Sequence, residues 1–374
     1  MIKFMLRGAC VAGLVLAIAG LARGQVSPAN EGKTAEQVYK NIKVLQGTPA
    51  NELNQSMHLM KGATGMDCLY CHIEREWEKD VKPPKEVARA MITMMMDINK
   101  RNFGGRQVVT CNTCHNGRPI PAATPIFPVV EPKEVSKPAL PTVDQILAKY
   151  VQALGGEAAI RKVTSRTITG AQFIPTGPGG TVPTPAAVER YQKAPNLAVT
   201  IYRAPAYAIS QGFDGTAAWS QDQAGRVTEP VRIDVARAAR AADLYEPLNL
   251  KRQYTTMTIR GIETVNNRDA YLVVGVPQGE PPESLYFDTQ TGLLLRKQTI
   301  LTTPIGGSPF QTDFDDYRDT GSGVKFPFLI HMSPATARTE LAPEATLRVS
   351  NVDDNKPIED SKFTKPAPRP PAPR

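Results

Sequence analysis

The sequence predicts a multidomain chain in which an N-terminal all-α domain is joined by a Pro-rich linker to an α+β domain built on an antiparallel sheet. Three observations carry this. At 374 residues the chain is too long for one ordinary domain and suits two. Residues 118–141 hold seven prolines, a density that excludes helix and central strand and favours an extended, semi-rigid connection. Upstream of that connection apolar residues recur at helical spacing, and downstream they alternate in short runs broken by turn residues.

Residues 1–24 read as a signal peptide. Lys3 and Arg7 form a basic start, Ala9 to Leu21 an apolar stretch, and Ala22-Arg23-Gly24 a cleavage site before Gln25. The stretch is shorter than the roughly 20 residues that span a bilayer comfortably. Export to the periplasm is therefore expected, with an uncleaved membrane anchor as the alternative. Without Lys3, Arg7 and Arg23 the formal charge of +8 falls to about +5. No Lys/Arg run is interleaved with aromatics, which points away from nucleic acid as a partner.

Within residues 30–117 three helices are expected. Thr34 and Gln37 make a capping box ahead of Val38, Ile42 and Leu45. Thr48 and Pro49 open a second helix with Leu53, Met57 and Met60 on one face, and Gly62 ends it. Pro84 opens a third, on which Val87, Met91, Met94 and Ile98 align along a face that must meet something apolar. Residues 142–364 begin with a second capping box, Thr142 with Gln145, before a helix that Gly155 stops. The runs SRTITGAQF, LAVTIYR, RDAYLVVGVP, ESLYFDTQTGLLLRKQT, KFPFLIHM and ATLRVSNV then read as strands. Turns at Gly177-Pro178-Gly179 and Asn266-Asn267 and a helical interruption at 233–245 punctuate them. The Pro-rich tail, residues 365–374, reads as disordered.

Of the five cysteines, Cys10 falls in the signal segment, and the other four form Cys68-Leu69-Tyr70-Cys71-His72 and Cys111-Asn112-Thr113-Cys114-His115. Two thiols three apart on a turn present both sulfurs to one porphyrin edge, and the adjoining imidazole is carried beneath the iron. Each motif therefore predicts a covalently bound c-type haem, two in all, with His72 and His115 as iron ligands. No mature cysteine is left over for a disulfide. A shared zinc site is the competing reading. Paired motifs of that kind typically stand about 15–20 residues apart, whereas 39 residues separate Cys71 from Cys111. Zinc also has no need of a histidine after each pair.

The residues alone leave the sixth iron ligands open. His58 and His331 are the only other histidines. Met57, Met60, Met91 and Met94 lie on helices just ahead of the motifs, and thioether sulfur favours Fe(II). For any one of these methionines alone, plain core packing is the better account.

The stretch NIKVLQGTPANELNQSMHLMKGATGMDCLYCH, continued by VARAMITMMMDIN and VTCNTCHNGRPIP, resembles the cytochrome c subunit of photosynthetic reaction centres over about a quarter of the chain. The resemblance implies electron transfer with a redox partner protein, which can be membrane-bound. It also implies Met57 as sixth ligand of the first haem and Met91 of the second, with Met94 one turn along. Photosynthetic members of that family carry four haems. The two motifs here, and the lack of histidine in KRNFGGRQVV, match a two-haem form. Downstream, VDQILAKYVQALGG, YRDTGSGVKFPFLIHM and VSNVDDNKPIEDSKF resemble periplasmic lipoprotein-sorting proteins. That likeness implies a half-barrel-like sheet that buries a lipid or other apolar ligand under helices; a docking or spacer module is the alternative. His331, beside Phe326, Phe328 and Met332, suits a hydrogen-bonded strand histidine.

The expectation is an electron carrier and not an enzyme. A haem peroxidase or reductase, the alternative, needs an open iron position with distal acid/base groups, and only His58 and His331 are spare.

Overall fold

The computed structural model describes residues 32–50, 52–121, 140–176, 182–205, 207–229, 232–303, 306–334 and 345–367. The expected signal segment, most of the Pro-rich linker, the Gly177-Pro178-Gly179 turn and most of the tail lie outside the described residues.

The helical part comprises α1 (Ala35–Val38), α2 (Leu53–Thr64), α3 (Cys68–Cys71), α4 (Pro83–Phe103) and α5 (Cys111–His115). The Thr34/Gln37 capping box forms, but α1 lasts one turn. Asn41 and Leu45 take φ of 62° and 63°, which no right-handed helix accommodates, so Ile42 and Leu45 lie on a loop. Helix α2 runs through Gly62 and ends three residues later. There Gly65 (φ 69°) adopts the left-handed conformation and its N–H reaches the Lys61 carbonyl. The core of this part is small: Leu45, Leu59, Ile92 and Met95 are buried, with Met57 and Met60 at its margin. Helix α4 thus buries Ile92 and Met95, while the stripe of Val87, Met91 and Met94 faces outward.

The second part opens with α6 (Val143–Ala153) and α7 (Glu157–Lys162). Its capping box is formed: Gln145 N–H donates to Thr142 Oγ1 (3.2 Å) and Thr142 N–H to Gln145 Oε1 (2.8 Å). There follow β1 (Ser165–Thr176), β2 (Val182–Lys193), β3 (Leu197–Ala204), β4 (Tyr207–Phe213), β5 (Ala218–Gln221) and β6 (Val227–Thr228). After α8 (Arg232–Ala242) and α9 (Glu246–Asn249) come β7 (Thr256–Val265), β8 (Arg268–Val276), β9 (Glu283–Asp288) and β10 (Leu294–Thr303). The series closes with β11 (Gly306–Asp319), β12 (Lys325–Pro334) and β13 (Ala345–Asp354).

Among the described residues all thirteen strands form one sheet in the order β6-β5-β4-β3-β2-β1-β13-β12-β11-β10-β9-β8-β7. Each neighbour is antiparallel, so the first and last strands meet mid-sheet and join two meanders. Asn266 and Asn267, at φ 49° and 62°, supply the two left-handed residues of the β7–β8 hairpin, where Val265 faces Arg268. A single cavity touches Gln192 on β2 and Glu283 on β9. In a flat sheet those strands would stand six spacings, roughly 29 Å, apart. The sheet therefore curls, and α6, α8 and α9 fill its concave face. The end of α6 lies so close to the β11–β12 turn that a Cβ on Gly155 (φ 122°) would sit 2.0 Å from the Gly323 carbonyl oxygen. The two parts touch where Leu59 of α2 and Thr110, the residue before α5, meet Gly306 at the start of β11.

Candidate haem-attachment site

Both Cys-x-x-Cys-His motifs fold as a single helical turn, and each turn has its own cap. Before α3, Asp67 Oδ1 accepts from Tyr70 N–H at 2.9 Å. Before α5, Thr110 and Thr113 form a capping box. The four cysteines are free thiols; Cys68 and Cys114 are exposed, Cys71 and Cys111 half-buried. Burial pushes the Cys71 and Cys111 thiols up, so they rest protonated.

The two histidines share one arrangement although the loops around them differ. His72 Nδ1 lies 3.0 Å from the Trp77 carbonyl oxygen, and His115 Nδ1 lies 2.9 Å from that of Arg118. A carbonyl only accepts, so each Nδ1 carries a proton, which leaves Nε2 as the nitrogen that can offer a lone pair. Burial also pushes the His72 imidazole below its ordinary value, although the Trp77 hydrogen bond opposes the shift. A neutral imidazole with Nδ1–H tied to backbone is the form a metal-binding histidine takes.

Helix α4 holds both loops through two buried polar side chains. At its first turn Lys85 Nζ donates to the Trp77 and Lys79 carbonyls, each at 2.8 Å, and lies 3.1 Å from Asp80 Oδ1. The carbonyl that orients His72 is therefore itself held by α4. Asp80 is also paired with Arg89 (2.8 Å) and Lys43 (2.7 Å), which hold its carboxyl well below the usual carboxylate range. About four turns along, Asn99 Nδ2 donates to Val109 O (2.7 Å), while its Oδ1 accepts from the N–H groups of Val108 and Val109. That fixes the approach to the second motif, and Gly117 N–H donates to Ala63 O (2.8 Å) to tie its exit to α2.

The surroundings fit haem. Met91 is 37% and Met94 45% exposed, and Val87, Met96, Trp77 and Tyr70 are exposed as well, so this small domain presents unusually much apolar surface. A porphyrin held by the cysteines has apolar side chains to lie against. The zinc reading fares worse: among the described residues no three His, Cys, Asp or Glu side chains converge as a metal site. Of the candidate sixth ligands, Met57 and Met60 are half-buried at the core margin, and Met91 and Met94 share the outward stripe of α4. His58 is half-buried on α2. His331 sits on β12 with Nδ1 3.1 Å from Thr346 Oγ1, a strand histidine with a partner.

Sequence reasoning missed Lys85, Asn99 and Trp77. Asn99 and Lys85 carried a faint signal, since both are polar residues on the buried line of Ile92 and Met95. Trp77 carried none, because nothing in a sequence says that a carbonyl will meet a ring nitrogen.

Residues 19–153 match the family described as photosynthetic reaction centre cytochrome C subunit. The photosynthetic reaction center cytochrome c subunit of Rubrivivax gelatinosus is 31% identical over 142 residues, 37% of this chain and 35% of that one. Cytochrome c-554 of Chloroflexus aurantiacus is 33% identical over 104 residues, 24% of this chain and 25% of that one. The chain thus spans about a third or less of the length of these relatives. The family match includes the helical part with both motifs and relates that part to c-type cytochromes of the reaction-centre subunit family. Among solved structures, an outer membrane lipoprotein-sorting protein domain from Vibrio parahaemolyticus has a TM-score of 0.42 at 11% identity, covering 59% of this chain and 97% of that one. Among the described residues no helix is long and apolar enough to cross a membrane.

Proposed function

We propose that the protein is a periplasmic dihaem c-type cytochrome that passes electrons between redox partner proteins, and that its sheet domain docks a partner or binds an apolar ligand. The observation that carries the electron-transfer reading is the twice-built arrangement of two free thiols beside a histidine whose Nδ1–H is tied to a backbone carbonyl. Cys68, Cys71, His72 and Met57 would hold one haem, and Cys111, Cys114, His115 and Met91 the other. A c-type haem supplies an iron that alternates between Fe(III) and Fe(II) without binding substrate. The Trp77 and Arg118 carbonyls fix the imidazole tautomers and raise the basicity of each Nε2. The cationic groups of Lys85, Arg89 and Lys82 act on His72 and favour the less positive, reduced state of a centre placed there. Val87 and Met94, exposed beside Met91 on α4, would give the porphyrin an apolar surface and exclude water there.

The test is expression with haem maturation. The expected product carries two haems that survive a denaturing gel, and Cys68→Ala with Cys71→Ala removes one of them. Met57→Ala and Met91→Ala should each abolish one sulfur-to-iron charge-transfer feature and lower one of two potentials. A colourless, zinc-bearing product would end the reading. A ferrous spectrum that shifts promptly with carbon monoxide would favour the open iron of an enzyme.

A further inference from the structure

The two attachment turns are held by different parts of the molecule. The first rests on α4 and its own loop. Lys82, just ahead of α4, donates to Leu69 O inside the turn, and Lys85 holds the Trp77 carbonyl that orients His72. The second lies at the junction with the sheet domain. Thr110 caps it, and Gly306, buried at the start of β11, lies directly against Thr110 and Leu59.

A Cβ on Gly306 would stand 2.9 Å from Thr110 Cγ2, 3.4 Å from Thr110 Cβ and 3.6 Å from Leu59 Cδ2. The φ of 135° is also one that glycine alone adopts readily. Both the backbone and the space therefore call for glycine here, and what fills the space is the cap of the second motif. The far side of the contact does not yield cheaply. Thr110 is β-branched, so Cγ2 cannot swing away without carrying Oγ1 with it. Oγ1 lies 3.4 Å from Thr113 Oγ1, which accepts from Thr110 N–H at 3.0 Å, and Thr113 N–H donates to Thr110 O at 3.1 Å. Leu59 is 1% exposed and belongs to the cluster against which Cys111 packs. Gly306 thus touches the residue before Cys111 and the core residue behind it.

We propose that the sheet domain positions the second haem and not the first, with Gly306 as the positioning residue. Its bare backbone admits Thr110 and Leu59, and that seat keeps the Cys111–His115 turn capped. The proposal rests on the reading of this turn as a haem site. It gives the sheet domain a role beyond docking or ligand binding, since the second haem site is then built from both domains and the first from one.

Gly306→Ala in the full matured chain tests it, read by hydrogen exchange and by redox titration. The added methyl should turn Thr110 out of its cap. Loss of one cap corresponds to roughly fivefold faster exchange, expected over residues 110–117 and not over residues 67–72. The potential of the second haem should shift while that of the first stays. Gly321→Ala is the control. Its φ of 86° strains alanine as well, but no atom lies within 4 Å of the added methyl, so both motifs should keep their exchange and potentials. Thr110→Ser keeps the capping oxygen and deletes Cγ2. Combined with Gly306→Ala, it should restore the parent exchange and the parent potential. Unchanged exchange over residues 110–117 in Gly306→Ala, equal changes at both motifs, or no restoration by Thr110→Ser overturns the proposal alone. A matured chain without haem at Cys111 and Cys114 overturns the haem reading, and the proposal with it.

Discussion

Lys85→Met isolates what holds the first histidine. Methionine keeps most of the buried stem and deletes the ammonium, which donates to two carbonyls at 2.8 Å and faces Asp80 at 3.1 Å. A hydrogen bond from a charged donor contributes about 1.5–3 kcal/mol. Asp80 retains Arg89 and Lys43, and Trp77 and Lys79 are exposed enough for water to replace part of the loss. A net cost of about 2–3 kcal/mol follows, near one full charged hydrogen bond. For a domain of this size each kcal/mol lowers the melting midpoint by about 4–8 °C, so the helical domain should melt at least roughly 8 °C lower. Because the Trp77 carbonyl orients His72, the first haem should also lose its fixed imidazole. Its potential should shift and its low-spin spectrum weaken, while the second haem is unchanged. Differential scanning calorimetry with a redox titration reads both, and exposed Lys100→Met is the control. Stability within about 0.5 kcal/mol of the parent, the scatter of ordinary surface changes, with both potentials intact would refute the clamp.

Asn99→Leu should cost about 2–3 kcal/mol, since it strands the Val109 carbonyl and two N–H groups. It should disturb the second haem alone in the same titration. Asp80 has a folded value depressed by Arg89, Lys43 and Lys85. Its stabilisation is therefore complete above its unfolded value of about 3.9 and is lost as pH falls below that toward the folded value. Acid melts of the parent and of Asp80→Asn should stand apart above about pH 5 and draw progressively together as pH falls below about 4; parallel curves would show that the cluster does not stabilise the fold. Replacement of all four mature cysteines by alanine should remove the helical domain's cooperative transition and leave that of the sheet domain, as circular dichroism in the two transitions will show.

The sheet domain was legible where local chemistry decides structure. Asn266-Asn267 announced a hairpin, and Thr142 with Gln145 announced α6. Strand β2 was hidden because Pro183 and Pro185 stand at its start, and a proline in a strand lacks the ladder donor. Its pairing with β1, from Ser165 opposite Lys193 to Thr176 opposite Val182, is decided by neighbours far along the chain. In the helical domain the motifs were plain and the faces were not. The line of Val87, Met91 and Met94 was expected to meet something apolar, and it faces out of the protein while Ile92 and Met95, one position along, pack inward. Periodicity says that a helix has an apolar face; it does not say whether protein or a prosthetic group covers it.

That ambiguity explains the contrast between the two domains. The sheet domain has a continuous core from Ile146 and Tyr150 on α6 to Phe287 and Ile330 in the sheet, and it owes its packing to its own side chains. The helical domain buries only Leu45, Leu59, Ile92 and Met95 in its main cluster, and it holds its loops by Lys85 and Asn99 instead. A domain of some ninety residues with so few buried apolar side chains is marginal by hydrophobic burial alone. On the proposed reading, a large apolar disc lying against the outward methionine stripe would supply the missing half of its core. The same surface that looks like a liability in the bare chain would then couple folding to haem attachment. Loss of the thiols should consequently unfold this domain and not merely bleach it.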